Sequence, residues 1–395
     1  MQTMFNYYMP TRILFGAGRL KELATTPYLP GKKALIVMSS GASMKKYGYL
    51  DNVISYLQEN GVEAVVFDKI VPNPVAEHVA EGAAMAQEQQ CDFVIGLGGG
   101  SSIDSAKSIA MLAKNPGEYW DYIGGGTGKG KTPENGALPI VAITTTAGTG
   151  TEADPWTVIT KTETHEKIGW GADCTFPALA IVDPELMLTV PPDQTAYQGM
   201  DAFFHAVEGY LAINRQPASD FYALEAIRLV AENLSAAVKD GQNLEARTAL
   251  AWANTAAGIV ESLSSCISHH SLEHAISAYY PDVAHGAGLT MTSVAYFGYL
   301  AERHPERFPE MAKAMGEDVD ALPEAEKPFA FIAALKKLID RIGLKDLRLS
   351  SFGIKQEEAR KIAQNSFDTM PGLYRVNPVE LQIDDVVTII ERCFE

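Results

Sequence analysis

Histidines are concentrated in one part of this 395-residue sequence, where five of the eight fall between positions 205 and 285. Asp201 and His205 stand four residues apart in MDAFFHAVEGY, and His270 and His274 repeat this spacing in SHHSLEHAISAYY. Residues i and i+4 lie on one face of a helix, so such a pair directs two metal-ligating side chains at one point. A mixed set of oxygen and nitrogen donors suits one divalent ion, Fe²⁺, Zn²⁺, Mn²⁺ or Ni²⁺, with a position left open for substrate. The predicted ligands are Asp201, His205, His270 and His285.

A glycine-rich run, GLGGGSSIDSAK, extends from Gly96 to Lys107 between an apolar strand and a predicted helix. Its three consecutive glycines remove Cβ atoms where a backbone must approach a ligand closely. Ser101, Ser102 and the first N–H groups of the helix would then face an anion at the positive helix end. The run is neither a Walker A loop nor a GxGxxG fingerprint, and by itself it is equally consistent with a tight connection. The predicted contacts are Gly98, Gly99, Gly100, Ser101 and Ser102.

A second polar loop, TTTAGTGTE, covers Thr144–Glu152 after another predicted strand. It holds five hydroxyls and two glycines, more than a solvated turn requires. Loops that follow neighbouring strands of a parallel sheet lie side by side, so the two loops together indicate a dinucleotide site. The predicted contacts here are Thr144, Thr145 and Thr149.

Short runs rich in Val and Ile predict strands buried on both faces of a parallel sheet. Helical patterns lie between several of them, for example at Tyr49–Glu59 and Val75–Gln89, and this alternation is typical of an α/β layer. The predicted strands are Ala34–Met38, Ala64–Phe67, Phe93–Leu97, Ile140–Thr144 and Ala178–Val182.

Beyond Val190-Pro191-Pro192 the sequence shows long helical periodicities and almost no strand signal. The predicted organisation is therefore an N-terminal α/β dinucleotide-binding domain with a parallel sheet, residues 1–190, and an all-α metal-binding domain, residues 191–395. Ligand sites favour the cleft between such domains. The predicted helices are Ala196–Ile213, Ala218–Val238, Leu244–His274 and Val379–Cys393.

Composition excludes several classes of function. A formal net charge of −17 argues against a nucleic-acid partner, because such proteins concentrate Lys and Arg. No run approaches the ~20 apolar residues of a membrane span, and the N-terminus lacks the layout of a signal peptide, so we expect a cytoplasmic protein. The four scattered cysteines predict reduced thiols rather than a disulfide framework or a cysteine-rich zinc site.

In these motifs the chain resembles the iron-containing (group III) metal-dependent alcohol dehydrogenase family along essentially its whole length. Within that family it looks closer to the butanol-dehydrogenase-like and broad aldehyde-reductase branch than to the glycerol dehydrogenases. The resemblance implies a nicotinamide cofactor, an alcohol or aldehyde as substrate, and the four metal ligands predicted above; we also expect a homodimer. The matching motifs are Pro10-Thr11, Phe15–Gly18, Pro72–Pro74, Gly98–Lys107, Thr145–Glu152, Asp183-Pro184, Gly199–Glu208 and His270–Gly286.

The resemblance also implies roles for single residues. His274 would lie near substrate and nicotinamide and assist proton transfer or substrate orientation, whereas His269 is expected to be a neighbour of the ligands. Glu208 is either a partner of a ligand imidazole or a helix-surface residue. Further expected cofactor contacts are Asn73, Asp104 and Lys167.

Two departures from the family pattern lie near the expected pocket. His285 lies eleven positions after His274 where a spacing of ten is common, and the stretch Glu261–Ile267, ESLSSCI, lacks the usual glycine. Three alternatives stay open: a dehydroquinate-synthase-like enzyme, a glycerol-dehydrogenase-like enzyme, and a non-catalytic nucleotide- or metal-binding protein. The first needs a strongly cationic pocket, and few Lys or Arg, such as Lys161 and Lys167, lie near the motifs.

The loop after the first predicted strand bears on the choice of cofactor. NAD-using enzymes carry an acidic residue there that binds the ribose hydroxyls and repels a 2′-phosphate. Here Ser39 occupies that position, and Lys45-Lys46 follow. We therefore expect NADP(H) to be preferred over NAD(H), the alternative being a Ser/Gly turn with two solvated lysines. The predicted phosphate contacts are Ser39, Ser40, Gly41 and Ser43.

Overall fold

The computed structural model describes residues 4–394, and the chain divides into two compact units. One unit is Met9–Thr189. The other combines Val190–Glu395 with the segment Met1–Tyr8. No helix among the described residues is long and apolar enough to cross a membrane.

The unit Met9–Thr189 is built on a parallel sheet. Its strands are β1 (Arg12–Phe15), β2 (Lys33–Ser39), β3 (Glu63–Ile70), β4 (Phe93–Gly98), β5 (Ile140–Thr144), β6 (Thr157–Lys161), β7 (Glu166–Trp170) and β8 (Leu179–Val182). Six of them form the sheet in the order β1-β8-β5-β4-β2-β3, with every neighbouring pair parallel, whereas β6 and β7 form a separate antiparallel pair. The predicted fold class is confirmed.

Helices cover both faces of this sheet, which explains why its strands are apolar without alternation. On one face Ile36 and Leu97 pack with Val53 and Leu57, and on the other Ile103 packs with a separate group of small strand residues. The helices are α1 (Ser43–Lys46), α2 (Tyr49–Glu59), α3 (Ala76–Glu88) and α4 (Gly100–Leu112). Short 3₁₀ helices span Arg19–Ala24, Tyr119–Asp121, Thr162–Thr164, Asp173–Thr175 and Pro184–Met187.

Three strands were absent from the prediction. β1 and the β6–β7 pair are short and partly polar, so they contain no run of Val and Ile that would predict a strand.

The order of the strands defines a switch point between β2 and β4. From β2 the chain moves to β3 at one edge of the sheet, whereas from β4 it moves to β5 on the opposite side. Ligands of open α/β sheets bind beyond the carboxyl ends of strands at such a point.

The second unit is helical. Its helices are α5 (Pro192–Leu211), α6 (Pro217–Lys239), α7 (Leu244–Leu263), α8 (Ser268–Tyr279), α9 (His285–Arg303), α10 (Phe308–Ala314), α11 (Lys327–Arg341), α12 (Ala359–Thr369), α13 (Pro371–Arg375) and α14 (Ile383–Arg392), with 3₁₀ turns at Pro305–Arg307, Leu349–Phe352 and Gln356–Glu358. Residues 4–8 belong with it rather than with the sheet, since Gln216 Nε2 donates to the Asn6 carbonyl at 2.9 Å.

Two predicted helices need correction. The helix expected over Leu244–His274 is broken into α7 and α8, because Ser264 leaves the helical conformation and its hydroxyl donates to the Gly209 carbonyl. The helix expected over Val379–Cys393 begins only at Ile383. Its start is fixed by Asp385, whose carboxylate accepts the Gln382 N–H at 2.8 Å.

Candidate metal centre and cofactor loops

The four predicted metal ligands meet in the helical unit. Asp201 and His205 lie on α5, His270 lies on α8, and His285 begins α9. Asp201 Oδ1 is 3.0 Å from His205 Nε2, 3.6 Å from His270 Nε2 and 3.4 Å from His285 Nε2. The first three residues are buried and His285 is partly exposed. One side of the cluster is thus open to an incoming molecule.

These separations fit a single metal ion. Two ligand atoms that each lie about 2.1 Å from a tetrahedral ion are roughly 3.4 Å apart. His270 Nε2 is buried and has no hydrogen-bond partner among the described residues. Because buried polar atoms are nearly always paired, an orphaned imidazole nitrogen facing the Asp201 carboxylate indicates a cation between them.

A buried glutamate contacts the other ring nitrogen of each of the three histidines. An ionised carboxylate can only accept hydrogen bonds, so Nδ1 carries the proton and Nε2 presents its lone pair to the cluster. Such carboxylate–histidine pairs fix the tautomer and orientation of metal ligands. The pairs are His205 with Glu261, His270 with Glu208 at 2.6 Å, and His285 with Glu273.

The carboxylates make this region favourable for positive charge. Burial would raise the pKa of Asp201, yet the neighbouring imidazoles of His205 and His285 hold it well below its usual range. Burial likewise opposes charge on His270, but Glu208 prevails and raises the pKa of His270 to about 9. The same contacts lower the pKa of Glu208 to about 2 despite its burial. A divalent ion would supply this positive charge with the imidazoles neutral.

Glu208 also fixes where α8 begins. Its Oε2 accepts the Ile267 N–H at 2.8 Å and the His270 N–H at 3.4 Å, while Oε1 faces the Nδ1 atoms of His269 and His270. One buried side chain therefore caps the helix and holds the ligand that the helix carries. His269 is fully buried and lies outside the ligand set, as a partner of Glu208.

His274 lies beside the cluster, with its ring centroid 5.3 Å from that of His285. Its Nδ1 is 3.0 Å from Met370 Sδ. A thioether has no proton to donate, so Nδ1 of the neutral ring is the donor and Nε2 is the basic nitrogen. This tautomer gives His274 a nitrogen able to take up a proton.

The predicted cofactor loops in the sheet unit follow adjacent strands. The Ser39 loop follows β2, Asn73 follows β3, and the Gly98 and Thr144 loops follow β4 and β5. Register pairs Ser39 with Ile70 and Gly98 with Thr144, and Thr145 N–H donates to the Gly98 carbonyl. All four loops thus lie at the carboxyl edge of the sheet, around the switch point between β2 and β4.

The three glycines are explained largely by contact between two loops. A Cβ on Gly99 would lie 2.9 Å from Thr146 Oγ1, and one on Gly100 would lie 2.5 Å from Thr149 Cγ2. Gly98 has φ +144°, a conformation that favours glycine. The glycine loop therefore packs directly on the threonine loop, and the N-terminus of α4 opens beside both.

Two predicted cofactor residues are buried within the sheet unit. Asp104 accepts the Thr151 hydroxyl at 2.7 Å and the Val158 N–H at 2.9 Å, so its carboxylate holds the end of the threonine loop and the chain that follows it. Lys167 is buried in β7, in register with Thr160. Direct contact of Asp104 and Lys167 with a cofactor remains a prediction.

The loop predicted to read the 2′-phosphate is open to solvent. Ser39 is partly exposed, and Ser40, Gly41 and Ser43 are exposed. Lys45 forms an exposed ion pair with Asp68 at 2.5 Å, so part of its charge is already balanced.

We compared the chain with family models and with known proteins. Residues 10–184 match the model of the iron-containing alcohol dehydrogenase family, and residues 195–394 match the model of its C-terminal part. The chain is 34% identical over 98% of its length to the NAD-dependent methanol dehydrogenase of Bacillus methanolicus, covering 99% of that protein. It is 35% identical to the 1,3-propanediol dehydrogenase of Klebsiella pneumoniae, over 91% of this chain and 92% of that one.

Solved structures agree with the sequence matches. The fold superposes with a TM-score of 0.92 on an archaeal alcohol dehydrogenase from a Red Sea brine pool, at 36% identity and full coverage of both chains. It superposes with a TM-score of 0.88 on NADH-dependent butanol dehydrogenase A from Thermotoga maritima, at 31% identity and 98% coverage of each chain. The resemblance found in the sequence is confirmed: the chain belongs to the iron-containing alcohol dehydrogenases, oxidoreductases that act on alcohols or aldehydes with a nicotinamide cofactor.

Proposed function

We propose that the enzyme works with one divalent ion bound by Asp201, His205, His270 and His285. The observation that carries this proposal is the convergence of three imidazole Nε2 atoms on Asp201 Oδ1, each ring held from behind by a buried glutamate. A bound ion would act as a Lewis acid on the substrate oxygen. A bound nicotinamide would carry the hydride.

The side chains of the protein would orient the metal ligands and transfer a proton. Nε2 of His274 takes the hydroxyl proton in the oxidative direction and returns it in the reductive direction, because the contact with Met370 keeps the other nitrogen protonated. The three glutamates keep the ligand rings from rotating. The order β2–β4 at the switch point supports binding of the dinucleotide by the Gly98 and Thr144 loops.

The proposed metal is Fe²⁺, supported by the family and by a donor set of three imidazoles and one carboxylate. The same donors accept Zn²⁺, Mn²⁺ and Ni²⁺, so activity of the chelator-treated enzyme is to be compared after addition of each ion. A panel of alcohols and aldehydes, assayed by the absorbance of reduced cofactor, tests the reaction class. Failure to turn over any of them with any ion would overturn the proposal.

The proposed cofactor preference is NADP(H) over NAD(H), supported by the absence of a carboxylate at Ser39–Ser43 and by Lys45 and Lys46 nearby. Two considerations favour NAD(H) instead: the Lys45–Asp68 ion pair and the names of the Bacillus methanolicus and Thermotoga maritima relatives, which are NAD-dependent and NADH-dependent.

We also propose a cytoplasmic location, to be tested by cell fractionation, and a homodimer, to be tested by light scattering.

Ser39→Asp tests the cofactor preference, because a carboxylate there would repel the 2′-phosphate and bind the ribose hydroxyls. We expect kcat/KM for NADPH to exceed that for NADH in the wild type and the ratio to fall roughly 10-fold or more in the variant. Ser55→Asp, at an exposed position of α2, is the control for added charge. A wild-type preference for NADH, or an unchanged ratio in Ser39→Asp, would show that this loop does not read the phosphate.

A further inference from the structure

Cys266 is a partly exposed thiol in the short break between α7 and α8. The chain on either side of it is fixed, because the Ser264 hydroxyl donates to the Gly209 carbonyl at 2.9 Å and the Ile267 N–H donates to Glu208 at 2.8 Å. The position of the thiol is therefore set by its neighbours, and part of the residue is open to solvent.

The thiol lies on the glutamate side of the proposed metal ligands. Its Sγ is 3.7 Å from Glu261 Oε2, while Oε1 of the same buried carboxylate contacts His205 Nδ1. One donor atom from each of Cys266, Glu261 and His205 lies within 4.8 Å of the other two. Thiolate, carboxylate and imidazole are the donors that bind Zn²⁺ and other thiophilic ions. Modest rotations of these side chains would bring all three to one ion.

A second group of donors, Glu208, Cys266 and His270, is less suited to an ion. Both oxygens of Glu208 already receive N–H groups, two of them from the backbone at the start of α8. Glu261 Oε2 instead faces the thiol. The group that contains Glu261 is therefore the one that an ion can use without loss of the helix cap.

His205 belongs both to this group and to the proposed metal site, and it can serve one ion at a time. A neutral imidazole carries its proton on one nitrogen and offers a lone pair on the other. With the proton on Nδ1, Nε2 is free to bind an ion beside Asp201. With the proton on Nε2, that nitrogen donates to Asp201 Oδ1 at 3.0 Å, and Nδ1 offers its lone pair on the side of Glu261.

We propose that Cys266, Glu261 and Nδ1 of His205 form a second metal site, for a thiophilic divalent ion such as Zn²⁺ or Cd²⁺, and that an ion bound there excludes the ion at Asp201. The thiol proton leaves to solvent when the thiolate binds, and the proton of His205 moves from Nδ1 to Nε2. Such an ion inhibits the enzyme by withdrawing one imidazole from the other ligands. The exclusion rests on the proposed metal site at Asp201, whereas the second metal site does not.

Cd²⁺ is the probe, because its bond to a thiolate gives an ultraviolet charge-transfer band that its bonds to imidazole and carboxylate lack. The variant His270→Ala lacks a ligand of the Asp201 site and none of the second metal site. We expect its band to saturate at one Cd²⁺ per chain and to disappear when Cys266→Ser is added. Adding Cys174→Ser instead, at a partly exposed thiol of the sheet unit, is the matched control and should leave the band unchanged.

Asp201→Asn provides the same test if His270→Ala fails to fold, because it also removes a ligand of the first site alone. A band that persists with Cys266→Ser, or no band in whichever variant folds, overturns the second metal site.

The exclusion is tested in the wild type by competition without oxygen. Fe²⁺ at ten times its own Kd should raise the Kd for Cd²⁺, read from the band, roughly 10-fold, as for two ligands that bind different states of one protein. An unchanged Kd would show that both ions bind together and overturns the exclusion. Wild-type protein that binds no Fe²⁺, with the band present in His270→Ala, would instead refute the Asp201 site and support the second metal site.

Discussion

At the scale of residues, His274 is distinguished from the ligands by what its Nδ1 contacts. His270 and His285 place a carboxylate there, whereas His274 places the sulfur of Met370. A thioether is uncharged and only a weak acceptor. The ring beside the cluster is thus suited to exchange a proton and the others to hold a cation.

The change His274→Ala is expected to lower kcat roughly 10²- to 10⁴-fold, the range for loss of a general acid or base. Metal content should remain at one ion per chain, because the converging set does not include this ring. Elemental analysis and steady-state kinetics on the same preparation provide the measurement. Loss of the metal in this variant would require the ligand set to be redrawn.

The spacing of residues along the sequence was sufficient to predict the four side chains that converge. Pairs at i and i+4 and the start of a helix are local features of a sequence. It could not reveal Glu261 and Glu273, which read as ordinary glutamates on helices. Their function depends on contacts with His205 and His285 across different helices. The available signal was chemical: a metal-bound imidazole needs an acceptor on its second nitrogen, and carboxylates within the same helices are candidates.

At the scale of elements, the start of α8 and the metal site are joined through Glu208, whose two oxygens receive four N–H groups. Replacing it by glutamine leaves one oxygen and introduces an amide that can only donate. Either the helix cap or the contact with His270 must then be lost.

For Glu208→Gln we therefore expect metal affinity to fall roughly 10- to 100-fold in competition with a chelator. Glu225→Gln, on the partly exposed face of α6 where its carboxylate pairs with Arg228, is the control and should bind metal like the wild type. Equal affinity of Glu208→Gln and the control would separate this residue from the metal site.

The contact between the two cofactor loops gives a prediction at Gly100. A Cβ there would lie 2.5 Å from Thr149 Cγ2, so Gly100→Ala should displace the threonine loop and raise the cofactor Kd roughly 10-fold. Gly124→Ala is the matched control, because no atom lies within 4 Å of its added Cβ. Isothermal titration with reduced cofactor measures both. Identical affinities would mean that the loop tolerates the shift.

Apolar runs predicted β2, β3, β4, β5 and β8 because strands buried on both faces admit little else. β1 spans only four residues, and β6 and β7 form an antiparallel pair outside the main sheet, so their sequences carry a weaker apolar signal. The break between α7 and α8 was also hidden, since Ser264–Ile267 fits a helical period. The break is held by contacts with a distant helix, from Ser264 to the Gly209 carbonyl and from the Ile267 N–H to Glu208, which a local pattern cannot show.

At the scale of the whole molecule, the change from strand–helix alternation to helices alone indicated two parts. The position of the first residues was not indicated, because the contact of Asn6 with Gln216 joins residues 210 positions apart. The two proposed sites lie in different units: the converging ligands belong to the helical unit and the cofactor loops to the sheet unit. Each site is therefore built from residues of a single unit.

Removal of the metal should consequently lower thermal stability through the helical unit. An ion that binds only the native state at 100 times its Kd contributes about 2.7 kcal/mol, which corresponds to a Tm change of about 5–10 °C for a unit of this size. The buried carboxylates around Asp201 add to the effect, since the ion balances their charge. Calorimetry of the chelator-treated enzyme with and without Fe²⁺ gives the shift, and His270→Ala should show neither stoichiometric metal nor the shift. An equal rise of Tm in His270→Ala would mean that the ion stabilises the protein at another place.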